Sequence, residues 1–232
     1  MKMLGIVGGI APESTVEYYR AIVALYRARQ ADGSYPPVVI NSIDMKKMLD
    51  FIAAGRFAEV TEYLLEEEGR LARAGAEFAL LASNTPHVVF KRLQSRSPVP
   101  LVSIVESACE AAEAQGLKRV GLFGTRFTMQ GSFYPEVFAR RGIALVVPEA
   151  GEQDYIHDKY MSELVNGVFL PETRAGLLSI AVRLREREGI EGLILGGTEL
   201  PLILHEGSAE GRLPFLDTAR IHAQAAVARM LS

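Results

Sequence analysis

The sequence predicts an α/β fold of two duplicated lobes, each a mainly parallel sheet flanked by helices, with a cleft between the lobes as the site. Three observations predict it. Eight short and almost wholly apolar runs alternate with longer segments of helical period. A glycine-bearing strand motif recurs half a chain away from itself. Several of the runs end in loops of Gly, Ser, Thr and Asn. Continuously apolar runs suit strands covered on both faces of a parallel sheet, and strand-then-helix repetition is the α/β pattern.

Taken in order, the expected strands are residues 4–8, 38–42, 78–82, 101–104, 119–124, 143–147, 192–196 and 215–217. After Pro12, the segment Ser14-Thr15-Val16-Glu17 reads as a capping box that opens a helix. Val16, Tyr19, Ile22, Val23 and Tyr26 would form the apolar face of that helix. Phe57, Val60, Leu64, Leu71 and Ala74 mark a second helix, and Leu177, Ile180, Ala181 and Leu184 a third. The charged stretches Glu66-Glu67-Glu68 and Arg183-Leu184-Arg185-Glu186-Arg187-Glu188 read as solvated helix faces.

The duplication has a nearly constant offset. Leu4-Gly5-Ile6-Val7-Gly8-Gly9 matches Val120-Gly121-Leu122-Phe123-Gly124-Thr125 at an offset of 116, which also places Tyr18 on Tyr134. Ala82-Ser83-Asn84-Thr85 pairs with Gly196-Gly197-Thr198-Glu199 at an offset of 114. With no Pro/Gly/Ser-rich linker, the boundaries are expected as short crossings near Pro98 and Leu213. The first lobe is then residues 1–98 plus 212–232, and the second 99–211.

Composition narrows the function. A net charge of −3 in 232 residues excludes a basic nucleic-acid footprint. No apolar run approaches the roughly 18 residues of a membrane span, and the first residues carry no secretory pattern, so a cytoplasmic protein without a membrane partner is expected. Cys109 is the only cysteine, which excludes a disulfide framework and multi-cysteine metal sites. It falls in a helical stretch, Ser107-Ala108-Cys109-Glu110, and reads as a structural thiol. His157, His205 and His222 have no partner at metal-ligand spacing, so no metal is expected.

Four strand-end loops are where chemistry is expected. Gly8-Gly9-Ile10-Ala11-Pro12-Glu13-Ser14-Thr15 offers backbone amides and hydroxyls that suit a carboxylate or phosphate, although turn glycines with a helix cap explain it equally. It is neither a Walker loop nor a dinucleotide fingerprint. Ser83-Asn84-Thr85-Pro86-His87 and Gly196-Gly197-Thr198-Glu199 end fully apolar strands in the two halves, and Gly124-Thr125-Arg126-Phe127-Thr128-Met129 is the second half's counterpart of the first loop. Lys46 and Lys47 follow the second strand, where a basic group could hold a distal carboxylate or simply stand in solvent.

These stretches, with Tyr18-Tyr19, Leu200-Pro201-Leu202 and the ending Phe215-Leu216-Asp217-Thr218-Ala219-Arg220, resemble the aspartate/glutamate racemase family across essentially the whole chain. The resemblance implies an isomerase that needs no cofactor, acts on a small acidic amino acid and assembles as a homodimer. Its chemistry is two-base proton transfer: a thiolate removes the α-proton from one face and a thiol returns one from the other. A single base returning its proton to the same face would regenerate the starting enantiomer. Cysteine suits the task because its pKa of about 8.5 is readily lowered.

The positions that the family gives to its cysteines are here Ser83 and Gly197. With Glu199, two residues on, these are the expected catalytic positions. Ser14, Thr15, Asn84, Thr85, Thr125, Thr128, Thr198 and Lys47 are the expected substrate contacts. His87 is a further acid–base candidate, with a packed or capping role as the alternative. Two readings stay open: a racemase-like enzyme or lyase that uses other acid–base groups, and an inactive dicarboxylate-binding descendant.

Overall fold

A computed structural model describes residues 1–204 and 213–232. His205, considered above as a metal ligand, lies outside the described residues. The chain divides into two compact units, Met1–Ile104 with Ala219–Ser232, and Val105–Thr218.

Unit 1 contains β1 (Leu4–Gly8), α1 (Pro12–Arg29), β2 (Val38–Ser42), α2 (Met45–Ala53), α3 (Phe57–Arg73), β3 (Phe78–Leu81), a 3-10 turn (Thr85–Val89), α4 (Phe90–Gln94) and β4 (Leu101–Val102). Helix α5 (Ile104–Ala114) leads into unit 2. There follow β5 (Arg119–Gly124), α6 (Arg126–Gln130), α7 (Phe133–Arg140), β6 (Ala144–Val146), α8 (Ala150–Ser162), α9 (Pro171–Glu188), β7 (Gly192–Gly196), α10 (Leu200–Ile203) and β8 (Phe215–Asp217). Helix α11 (Thr218–Leu231) returns the chain to unit 1.

Each unit holds one parallel four-stranded sheet, in the orders β2-β1-β3-β4 and β6-β5-β7-β8. The orders are identical once β1–β4 are laid on β5–β8. The repeat seen in the sequence is therefore a repeat of topology, and the two-lobed α/β class holds. Tyr18 and Tyr134, matched by the repeat, are both buried in their units. The cores are aliphatic. In unit 1, Leu4, Ile6, Phe78 and Leu80 of the sheet pack with Tyr18, Ile22 and Tyr26 of α1 and with Ala223, Ala226, Val227 and Met230 of α11. In unit 2, Phe123, Leu193 and Leu195 pack with Leu177, Ile180, Ala181 and Leu184 of α9 and Ile156, Tyr160 and Leu164 of the α8 region. Burying a side chain of this size contributes about 1.5–3 kcal/mol.

Several expectations are corrected here. The crossings at 98/99 and 211/212 come too early. Leu101 and Val102 complete the first sheet by pairing with Ala79 and Leu80, and residues 215–217 complete the second by pairing with β7. Each edge strand belongs to the sheet its predecessor started, and the helix after it carries the chain across.

The capping box fails too. Pro12 occupies the first turn of α1 and Ala11 caps it, so Ser14 and Thr15 are already inside the helix. The buried stripe then runs through Thr15, Tyr18, Ile22 and Tyr26, which turns Val16 and Tyr19 outward. On α3, Glu66 is exposed, but Glu67 and Glu68 are buried. Glu67 is held by Asn41 at 2.6 Å and Arg70 at 2.9 Å. Burial, opposed in part by a hydrogen bond from Ser97, raises the Glu68 pKa to about 7.

Candidate functional site

In unit 1 the loops after β1 and β3 leave neighbouring strands at the carboxyl edge of the sheet, where open α/β sheets bind ligands. Glycine shapes the first. Gly9 has φ +81°, and a Cβ there would lie 2.5 Å from the Ile43 carbonyl oxygen. A Cβ on Gly8 would lie 2.4 Å from Thr15 Cγ2. Thr15 can therefore fold against the strand end, where its Oγ1 accepts from the Gly9 amide at 2.8 Å and donates to the Ala11 carbonyl at 3.1 Å. Ser14 Oγ also donates to Ala11, at 2.9 Å. Both hydroxyl protons are committed within the loop. In this arrangement the pair offers a ligand lone pairs, which suit an ammonium, rather than donors for a carboxylate.

Ser83, Asn84 and Thr85 follow β3 and are all buried. His87, in the 3-10 turn beyond them, stacks on Phe90 at 4.5 Å, and its Nε2 accepts from the Ile104 amide at 3.3 Å. Nδ1 therefore carries the proton of the neutral ring. Burial, then the neighbouring His222, lowers the His87 pKa to about 3. The side chain is a neutral cap for the start of α5, the packed role left open above. His222 is neutral as well. Its Nε2 donates to the Val102 carbonyl at 2.9 Å, so Nδ1 accepts from Tyr18 Oη at 3.0 Å, and burial lowers its pKa to about 4. Lys47 stands exposed in the first turn of α2, its ammonium 4.3 Å from the centre of the Tyr63 ring.

Unit 2 repeats the arrangement on β5 and β7, where Gly124 and Gly196 are register partners. A Cβ on Gly124 would lie 2.7 Å from the Gly196 carbonyl oxygen and 2.9 Å from Thr128 Cγ2. The two glycines thus let the strand-end loops close over each other. Thr125 caps α6 by accepting from the Thr128 amide at 3.3 Å, and the two threonine hydroxyls are 3.2 Å apart.

The second loop holds Gly197, Thr198 and Glu199, the last two buried. A Cβ on Gly197 would lie 2.4 Å from Tyr160 Cε2 and 2.9 Å from Tyr160 Oη. The phenol of Tyr160 donates to Glu199 Oε2 in a short hydrogen bond, and Thr198 Oγ1 donates to the same oxygen at 2.9 Å. Burial first, and then the Glu199 carboxylate, holds the Tyr160 hydroxyl well above its usual pKa, so the tyrosine is a neutral donor.

Sequence reasoning did not find Tyr160. It sits on α8, 39 residues before Glu199, in a stretch that reads as an ordinary helix. The one sign was Gly197 itself, since a glycine ending a strand often marks the close approach of another group. Cys109 is buried on α5, with Sγ 3.9 Å from the Val137 carbonyl oxygen, and burial raises its pKa. A buried thiol whose ionisation is disfavoured by burial is inert. Among the described residues no cluster of three or more His, Cys, Asp or Glu could hold a metal ion, and no helix is long and apolar enough to cross a membrane.

The Asp/Glu/Hydantoin racemase family matches residues 7–226. The chain is 24% identical over 242 residues to the broad specificity amino-acid racemase RacX of Bacillus subtilis, with 99% of each chain covered. A Yersinia pestis structure described as a candidate Asp/Glu racemase superposes with a TM-score of 0.90 at 29% identity, covering 100% of both chains. An aspartate racemase homologue from Pyrococcus horikoshii gives 0.86 at 34% identity, again with 100% of both chains covered. The chain belongs to the Asp/Glu/Hydantoin racemase family.

Proposed function

We propose that this member of the Asp/Glu/Hydantoin racemase family binds a small acidic amino acid and exchanges the proton on its α-carbon without a cofactor, using oxygen acids and bases in place of thiols. The observation that carries the reading is the repeated sheet order, which gives each unit an equivalent strand-end loop, residues 83–85 after β3 and residues 197–199 after β7. Inversion at a carbon needs two stations, one per face, and a duplicated fold supplies two.

In this reading Ser83 and Gly197 stand where the family has cysteines. Asn84, Thr85, Thr125, Thr128 and Thr198 supply polar contacts for the carboxylates, Ser14 and Thr15 face the ammonium, and Lys47 holds the distal carboxylate. Cys109, buried and with its thiol pKa raised, takes no part.

One observation favours binding without turnover as the second reading. Ser83 needs an activating base, and the nearby His87 is neutral with Nε2 already accepting from Ile104. Incubation with L- and D-aspartate and glutamate in D₂O, followed by NMR of the α-proton and chiral chromatography, separates the two. Exchange with inversion is the expected result. Exchange without inversion means a single working station. Thermal stabilisation by the same amino acids without exchange means a binding protein. The absence of both exchange and stabilisation overturns the acidic amino acid as ligand.

A further inference from the structure

Residue 197 has no side chain, yet the space its Cβ would enter is already filled by the Tyr160 ring, with Oη 2.9 Å from that point. The phenolic oxygen lies at the carboxyl end of β7, in the loop from which a substrate would be served. It is not a stray aromatic edge. Tyr160 is anchored in the aliphatic core of unit 2, and its hydroxyl is fixed on Glu199 Oε2, which Thr198 Oγ1 also holds at 2.9 Å. A phenol fixed between a reaction centre and a carboxylate can pass a proton in either direction without becoming charged.

Resting on the proton-transfer function above, we propose that Tyr160 and Glu199 form a two-proton relay that serves the α-carbon from unit 2. In the forward direction the Cα–H bond breaks and its electron pair stays on the carbon. The proton joins Tyr160 Oη while the original phenolic proton moves to Glu199 Oε2. The products are a carbanionic substrate, a neutral tyrosine and a protonated glutamate. Reversal returns a proton to the carbon and restores the carboxylate. The relay avoids a free tyrosinate, which burial and the adjacent carboxylate strongly disfavour. Tyr160 is then the catalytic group, and Glu199 acts through it.

The test compares wild type, Tyr160→Phe, Glu199→Gln and Glu199→Asp for α-proton exchange and for binding of aspartate and glutamate. Tyr160→Phe is expected to lower exchange by about 100-fold or more with binding retained. Glu199→Gln is expected to do the same and to abolish the acidic limb of the pH–rate profile, while Glu199→Asp restores part of both. Exchange within about threefold of wild type in Tyr160→Phe overturns the relay and leaves the proposed function standing.

A second readout needs no turnover. In protein labelled with ¹³C at tyrosine Cζ, the resonance lost in Tyr160→Phe is expected to move with the ionisation of Glu199 and to stay still in Glu199→Gln. If wild type neither binds nor exchanges these amino acids, the proposed ligand falls, and the relay is judged on this resonance. A Cζ signal indifferent to Glu199 overturns it. Binding without exchange in wild type also overturns it and makes the pair structural.

Discussion

The loops after β3 and β7 leave equivalent strands of two sheets with the same order, yet each is finished in a different way. In unit 1 the loop carries its own polar side chain, Ser83, and the histidine behind it caps a helix. In unit 2 the equivalent residue is glycine, and a distant helix inserts Tyr160 in its place. A duplicated topology therefore fixes where a functional group can stand without fixing which part of the chain supplies it. The units also differ in what they bury. Unit 1 encloses the carboxyl of Glu68 and two histidines, His87 and His222, that ionise near neutrality when unfolded, whereas the α9 positions of unit 2 that pack on its sheet are aliphatic or Thr.

The largest expected effect follows from that second difference. His87 and His222 titrate near 3 and 4 in the folded protein against 6.5 when free. As pH falls below 6.5 the unfolded chain takes up protons that the folded one refuses, so stability drops by several kcal/mol on the way to the folded values, at about 1.4 kcal/mol per pH unit per group. Glu68 has the opposite sign. Its folded pKa of about 7 lies above the free 4.5, so its contribution is complete below 4.5 and is lost as pH rises to 7, by about 3 kcal/mol. Hydrogen exchange on acidification should expose β1 and β3 of unit 1 before β5 and β7. The reverse order would break the comparison. Because Glu68 offsets one of the two histidines, Glu68→Gln should steepen the loss of stability on acidification from pH 6.5 to 4.5 in denaturant titrations.

A smaller effect separates the two loops. Gly197→Cys must displace the Tyr160 ring and should cost about 1–3 kcal/mol. That is a fall of roughly 2–4 °C in Tm for each kcal/mol in a chain of this size. Ser83→Cys, a near-isosteric change, should leave Tm almost unmoved by calorimetry. Equal losses would mean that the loops are not built differently. Smallest is the contrast between the matched tyrosines. Tyr18→Phe removes the donor to His222 Nδ1 and strands a buried acceptor, about 1–3 kcal/mol. Tyr134→Phe removes a bond to Thr218, whose hydroxyl still donates to the Leu195 carbonyl at 2.7 Å, and should cost less. Denaturant midpoints at constant slope measure both.

The strands were legible in the sequence because each is a short apolar run, and residues 4–8, 38–42, 119–124, 192–196 and 215–217 match their predicted bounds. The repeat was legible because its glycines recur at fixed offsets. Misreadings arose where a local pattern has two tertiary solutions. Ser14-Thr15-Val16-Glu17 fits a capping box, but Pro12 starts the helix earlier and rotates its faces. A run of three glutamates is as compatible with burial against Asn41 and Arg70 as with water, and only packing decides.

The sequence by itself determined the α/β class, the duplication and the strand-end loops, since periodicity and glycine spacing are local properties that survive without a neighbour, and its motifs carried the family resemblance. The tertiary structure alone decided which sheet each crossing strand joins, that His87 is a neutral cap, and that Tyr160 fills the place of a side chain at Gly197 beside Glu199. Those outcomes depend on groups far apart in the chain, whose approach is set by close packing and by the cost of leaving a buried polar atom without a partner.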